Sequence, residues 1–164
     1  MQAVVIHEVG DPTVLRYESV PLPEPGPGQA RVKIEAAGLN FIDVYQRLGL
    51  YKLRLPAVLG MEAAGAVDAI GPEVPDLEPG TPVAYAMHPG AHAEYAVVPA
   101  AKLVPIPEAI EARQAAAVML QGMTAHYLSH DTFPLKPGVR ALVHAAAGGT
   151  GQLLVQMAVL LGAQ

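Results

Sequence analysis

Four residues near the end of the chain carry its plainest chemical signal. Gly148, Gly149, Thr150 and Gly151 follow the apolar run Arg140–Ala146 and precede the apolar stretch 152–161. A strand, a glycine turn and a helix in that order open a dinucleotide-binding βαβ unit. Glycines let the backbone come close to a pyrophosphate, and the helix N-terminus offers amides and a favourable dipole to the anion. The G-x-G-x-x-G pattern is incomplete, because Ala146 stands where its first glycine belongs. A tight turn is still open to Ala146 if its φ stays negative. The acidic or basic residue that distinguishes NAD from NADP falls about 20 residues beyond such a turn, and the sequence stops at Gln164.

The elements that would position this turn can be read from periodicity and turn chemistry. Residues 2–9 and 15–20 pattern as paired strands. Pro21 to Gly28 carries four prolines and is a rigid loop, since proline lacks an amide donor and fixes φ. Over 29–37, Ala30, Val32, Ile34 and Ala36 alternate with Arg31, Lys33 and Glu35, which predicts a half-buried antiparallel strand. Further strands are expected over 62–70, from Val83, over 92–98 and over 102–106. A short helix is expected over 40–48 with Asn40 as its N-cap. Many short strands with Gly/Pro turns predict a barrel or rolled sheet.

From about residue 107 the composition turns helical. Helices are expected over 108–120 and 124–129, Thr124 capping the second, then a strand over 140–146 and a helix over 152–161. That last helix is apolar nearly all round and should pack between layers. The division predicted is a β domain over 1–120 and the start of an α/β domain over 121–164.

Bulk properties exclude several classes. The 164 residues carry a net charge of −5 and no cysteine. Disulfides, thiolate zinc sites and thiol nucleophiles are thereby ruled out within these residues. Scattered Lys and Arg predict no nucleic-acid partner. No apolar run nears the ~18 residues of a membrane span, and the N-terminus does not read as a signal peptide. A cytoplasmic location and no membrane partner are expected. His88 and His92 are four apart, but such a pair shares a metal only on a helix, and Pro89-Gly90 forbids one. No metal site is expected.

Four segments carry a family resemblance: residues 36–51 (AAGLNFIDVYQRLGLY), 59–65 (LGMEAAG), 120–125 (LQGMTA) and 143–151 (VHAAAGGTG). Together they resemble the zeta-crystallin-like quinone oxidoreductase branch of the medium-chain dehydrogenase/reductase superfamily. The resemblance implies a β-rich GroES-like domain followed by the beginning of a Rossmann domain, with NADPH held between them, and a chain that is truncated and inactive alone. It implies that Gly148, Gly149, Thr150 and Gly151 hold the pyrophosphate and that Thr124 lies near the nicotinamide. Asn40, Asp43, Tyr45 and Tyr51 would line the cleft, Asn40 and Tyr51 touching cofactor as well as substrate. Gln121 replaces a basic residue common among relatives.

Zinc-dependent members of the superfamily carry a cysteine and a Gly-His-Glu motif. Here the second reads Gly60-Met61-Glu62 and cysteine is absent, so that tetrahedral zinc cannot be built. Without a Lewis acid, an activated acceptor is the expected substrate. The activity implied is NADPH-dependent, zinc-independent reduction of quinones, by a homodimer when full length. The same framework allows reduction of enones or alkenals, or a non-catalytic structural role. Read alone, Asp43 would merely favour a helix N-terminus, Tyr45 and Tyr51 would be packing residues, and Glu62 a buried carboxylate paired with a base.

Overall fold

The computed structural model describes residues 1–164. The chain forms two compact units, Met1–Ala117 and Val118–Gln164.

The first unit is built from two antiparallel sheets. Strands β1 (Gln2–Ile6), β2 (Arg16–Ser19) and β4 (Ala57–Val58) form one, in the order β2-β1-β4. Strands β3 (Gln29–Ala37), β5 (Glu62–Ile70), β6 (Pro82–Ala86), β7 (Tyr95–Pro99) and β8 (Val104–Pro105) form the other, in the order β7-β3-β5-β6-β8. The alternation read from β3 holds: Ala30 and Val32 are fully buried, while Lys33 and Glu35 face solvent. Val67, Val83, Tyr85 and Val98 complete that core. The proline loop is tied down by Arg31, which donates to Asp68 Oδ2 at 2.6 Å and to the Pro23 carbonyl at 3.0 Å.

Several expected strands are shorter than their patterns: 2–9 gives Gln2–Ile6, 15–20 gives Arg16–Ser19 and 102–106 gives Val104–Pro105. His92 lies in a bend and β7 starts only at Tyr95. Its amide donates to the Leu59 carbonyl, and the Ala91 amide to that of Gly60. This ties the segment to the loop before β5, while a single bridge, Ala3 to Ala93, with the Val4 amide on the His92 carbonyl and the Glu94 amide on that of Gln2, joins it to β1.

Tyr85 is wholly buried and its hydroxyl has no hydrogen-bond partner. Burial drives its pKa well above the ordinary tyrosine value. Removing a partnerless buried polar atom should stabilise the fold, so Tyr85→Phe is expected to gain about 1 kcal/mol at neutral pH. The gain should widen in alkali. Above the unfolded-state value near 10 the unfolded chain releases the phenolic proton while the folded chain keeps it, so wild-type stability falls with pH. Urea midpoints of both forms between pH 7 and 11 test this. Parallel pH profiles would contradict it.

The helical region departs from expectation. One helix, α2 (Ala112–Tyr127), runs through Gly122 where a break was predicted, and ends in a π turn over Leu128–Thr132. Thr124 is therefore no cap. Its hydroxyl donates back to the Leu120 carbonyl at 2.7 Å, in mid-helix. Gly122 is tolerated because it loses only propensity, about 1 kcal/mol, against packing.

The strand predicted over 140–146 does not form; residues 144–147 are turn. A strand needs a ladder partner, and here the Ala141 amide and the Val139 carbonyl bond only to Gln164. Helix α3 (Gly149–Leu160) starts three residues earlier than expected. Its apolar character leaves Val155, Val159 and Leu160 exposed, the last at 85%.

Candidate functional site

The first unit gathers a buried polar cluster beneath helix α1 (Phe41–Arg47). Asn40 is the N-cap, and its backbone amide donates to Asp43 Oδ2 at 2.8 Å. The other carboxylate oxygen, Oδ1, accepts the Gly60 amide at 3.2 Å. Asp43 is 2% exposed, so it does not line an open cleft as expected. It clamps the α1 entry to the loop before β5, because a buried carboxylate is stable only when its oxygens are bonded.

Glu62 is completely buried, and its Oε1 accepts from the Asn40 side-chain amide at 2.8 Å. This bond pairs the carboxylate with a neutral amide. Gly38 makes room for this carboxylate, since a Cβ there would lie 2.1 Å from Glu62 Oε1. Gly60 has φ +93°, and a Cβ on it would press into His92. His92 Nε2 donates to the Gly38 carbonyl at 3.1 Å. Sequence reasoning missed Gly38 and weighed His92 only as a metal ligand. The only signal for Gly38 was its place just before Asn40.

Above this buried base lies an exposed aromatic surface. Tyr45 and Tyr51 meet edge to face with centroids 5.7 Å apart, and Phe41 lies 6.2 Å from Tyr45. The Leu50 and Tyr51 amides both reach the Tyr45 carbonyl, which fixes the turn carrying Tyr51. Tyr51 is 53% exposed and Tyr45 38%. Tyr45 and Tyr51 are thus joined through Phe41 to the start of α1, where Asn40 is the N-cap and Asp43 is buried as its support.

His88 is drawn into the fold instead of a surface loop. Its Nε2 bonds the Val97 carbonyl at 3.0 Å and its ring packs edge to face on Tyr85. Burial lowers its pKa. No group of three or more His, Cys, Asp or Glu is gathered to hold a metal.

The second unit holds the glycine turn. Gly148 is the N-cap of α3, with no side-chain cap, and its carbonyl accepts the Gln152 amide. The amides of the first turn therefore point out of the helix end. Ala146, where the first glycine is lacking, stays out of the left-handed region; Ala145 enters it instead, at φ +51°. Gly151 packs hard against that turn, since a Cβ there would lie 2.3 Å from the Ala145 oxygen. Gly149 packs on Gln121, whose Cγ would be 2.9 Å from an added Cβ. Gln121 thus fills space beside the turn. The backbone is bare where an anion would approach, which fits a pyrophosphate.

The alcohol dehydrogenase GroES-like domain model matches residues 26–108. A quinone oxidoreductase of Pseudomonas aeruginosa is 49% identical over 157 residues, 94% of this chain and 48% of its own length. The chain belongs to the quinone oxidoreductase branch of the medium-chain dehydrogenase/reductase superfamily. A 2-haloacrylate reductase of a Burkholderia species is 42% identical over 99% of the chain and 51% of its own length. Among solved structures, Escherichia coli quinone oxidoreductase complexed with NADPH superposes with a TM-score of 0.97 at 39% identity, over 100% of this chain and 51% of that one. The chain spans about half the length of the curated relatives it matches. No helix in it is long and apolar enough to cross a membrane.

Proposed function

We propose that this chain supplies the substrate-side domain and the first pyrophosphate contacts of an NADPH-dependent, zinc-independent quinone reductase. The observation that carries the reading is the exposed Phe41–Tyr45–Tyr51 surface beside Asn40. A quinone is a flat, electron-poor ring, and tyrosine faces and edges offer it stacking worth about 0.5–1.5 kcal/mol per ring pair beyond area burial. Asn40, whose amide is held by Glu62, is the residue next to Phe41 in the chain and brings a neutral polar group to the start of α1. The backbone of Gly148–Gly151 would hold the pyrophosphate, and the second unit's Thr124 is assigned to the nicotinamide end by resemblance. NADPH supplies the hydride when bound. The protein's own part is to position a flat acceptor and to bind the anionic end of the cofactor.

The relation to a 2-haloacrylate reductase supports a second reading, in which the acceptor is an activated alkene. A chimera separates them: residues 1–164 replace the matching half of the Escherichia coli relative. NADPH oxidation is then followed with 1,4-benzoquinone, a naphthoquinone, 2-chloroacrylate and an alkenal. Quinone turnover is expected to dominate, and Tyr51→Ala to lower kcat/KM for quinone about tenfold, mostly through KM, as loss of a stacking partner would. Turnover of 2-chloroacrylate or the alkenal, with none of either quinone, would favour the second reading.

A further inference from the structure

Glu62 sits where a carboxylate is costly to keep. It opens β5, is wholly buried, and its Oε1 lies 2.8 Å from Asn40 Nδ2. Buried ionic groups add little net stability, and their best-attested use is to fix one arrangement among several. The chain makes room for this one. A Cβ on residue 38 would lie 2.1 Å from Oε1 and 2.6 Å from Cδ, so a side chain there and this carboxylate exclude each other. The Gly38 amide donates to the Glu62 carbonyl at 3.1 Å, and the Gly38 carbonyl accepts from His92 Nε2 at 3.1 Å. The backbone on both sides of the carboxylate is thereby held.

What Glu62 does to Asn40 follows from donor chemistry. An asparagine amide is a flat group whose nitrogen donates and whose oxygen accepts, and it can turn over. A carboxylate oxygen accepts only. With the Asn40 nitrogen on Glu62 Oε1 a bond forms, whereas with the amide turned over two oxygens would face each other. Glu62 therefore selects one of the two orientations. The Asn40 backbone is fixed separately, by its amide on Asp43 Oδ2 at 2.8 Å. Asn40 itself is only half-buried, so the support beneath does not close it off from solvent.

We propose that Glu62 is a positioning residue of the reductase that acts through Asn40, setting which end of its amide is presented to a bound ligand. This role depends on Asn40 lining the cleft, as proposed above. Glu62→Gln is the discriminating variant. It keeps the volume and a bonding partner, but a glutamine can offer Asn40 either an oxygen or a nitrogen, so both orientations become allowed. The bond that remains is neutral and weaker than one to a carboxylate. A structural support would survive this exchange, and an orienting one would not.

Asn40 is the only asparagine in the chain, so nitrogen-15 labelling of asparagine gives one side-chain amide pair in the 164-residue protein. One proton of that pair should be shifted and slow to exchange, and Glu62→Gln should move both properties towards those of a solvated amide. An Asn40 signal that is the same in both forms would overturn the role of Glu62. Turnover in the chimera gives the functional readout. Asn40→Ala should lower kcat/KM for quinone about tenfold and Glu62→Gln about threefold, the latter with a urea midpoint near that of the parent. The double variant should be no worse than Asn40→Ala alone, because Glu62 acts through a group that is then absent. Full activity of Glu62→Gln beside an impaired Asn40→Ala, or losses that multiply in the double variant, would overturn the role of Glu62 and leave Asn40 in the cleft. Full activity of Asn40→Ala would take Asn40 out of the cleft, and the role of Glu62 would fall with it.

Discussion

Gly151→Ala is expected to destabilise the second unit by about 3 kcal/mol, while Gly148→Ala changes it by less than about 1 kcal/mol. The added methyl at 151 would meet the Ala145 oxygen at 2.3 Å and Ala146 Cα at 2.7 Å. Both are backbone, and the Ala145 carbonyl is held in place by the Gly148 amide at 2.9 Å. Neither can step aside without opening the turn. At 148 the nearest atom is the same oxygen at 3.3 Å, with φ at −76°, which alanine adopts without strain. Gly149 should fall between them, because a methyl there meets Gln121 Cγ at 2.9 Å, a side-chain atom and not backbone. Hydrogen exchange of the α3 amides resolves the three variants, since it reads local rather than global opening. Equal protection in all three would mean that the turn is not the tight element described. In the NADPH-binding chimera the same order should appear in cofactor affinity, because opening the turn moves the first-turn amides.

How much of this was legible beforehand differs by element. Strand β3 was readable to the residue, because it alternates with one face buried and glycine closes each end, and β5 because Gly71-Pro72 ends its run of small apolar residues. The same logic failed over 140–146. An apolar run reports a wish for burial, not the presence of a partner strand, and no strand bonds to it here, only Gln164 on Ala141 and the Gly148 turn on Ala145. Thr124 misled because hydroxyl residues favour caps, yet inside a helix the same hydroxyl can return to the carbonyl four residues back. In the site, Asn40, Tyr45 and Tyr51 could be singled out by type and by resemblance. The depth of Asp43 could not. Its burial follows from the Gly60 amide reaching across from a loop 17 residues away, and no local pattern encodes that contact. Likewise the order of importance among Gly148, Gly149 and Gly151 depends on which backbone atoms face each Cα.

Asp43→Ala is the second large effect expected, a loss of about 2–5 kcal/mol from the first unit. The estimate comes from two donors, not from the carboxylate itself. Removing it leaves the Asn40 and Gly60 amides without their acceptor in a buried place, and each such orphan costs about 1–3 kcal/mol. Asp43→Asn keeps one carbonyl oxygen and should lose roughly half as much, because it can satisfy one amide but presents a donor to the other. A urea midpoint that falls with unchanged slope is the expected signature. The functional consequence follows from the same bonds. Asp43 fixes the start of α1, and α1 carries Tyr45, whose carbonyl in turn holds the Tyr51 turn. In the chimera, Asp43→Asn should therefore raise KM for quinone with kcat near that of the parent, the pattern of a positioning residue. A drop in kcat with KM unchanged would instead put Asp43 at the reacting atoms, which its 2% exposure argues against.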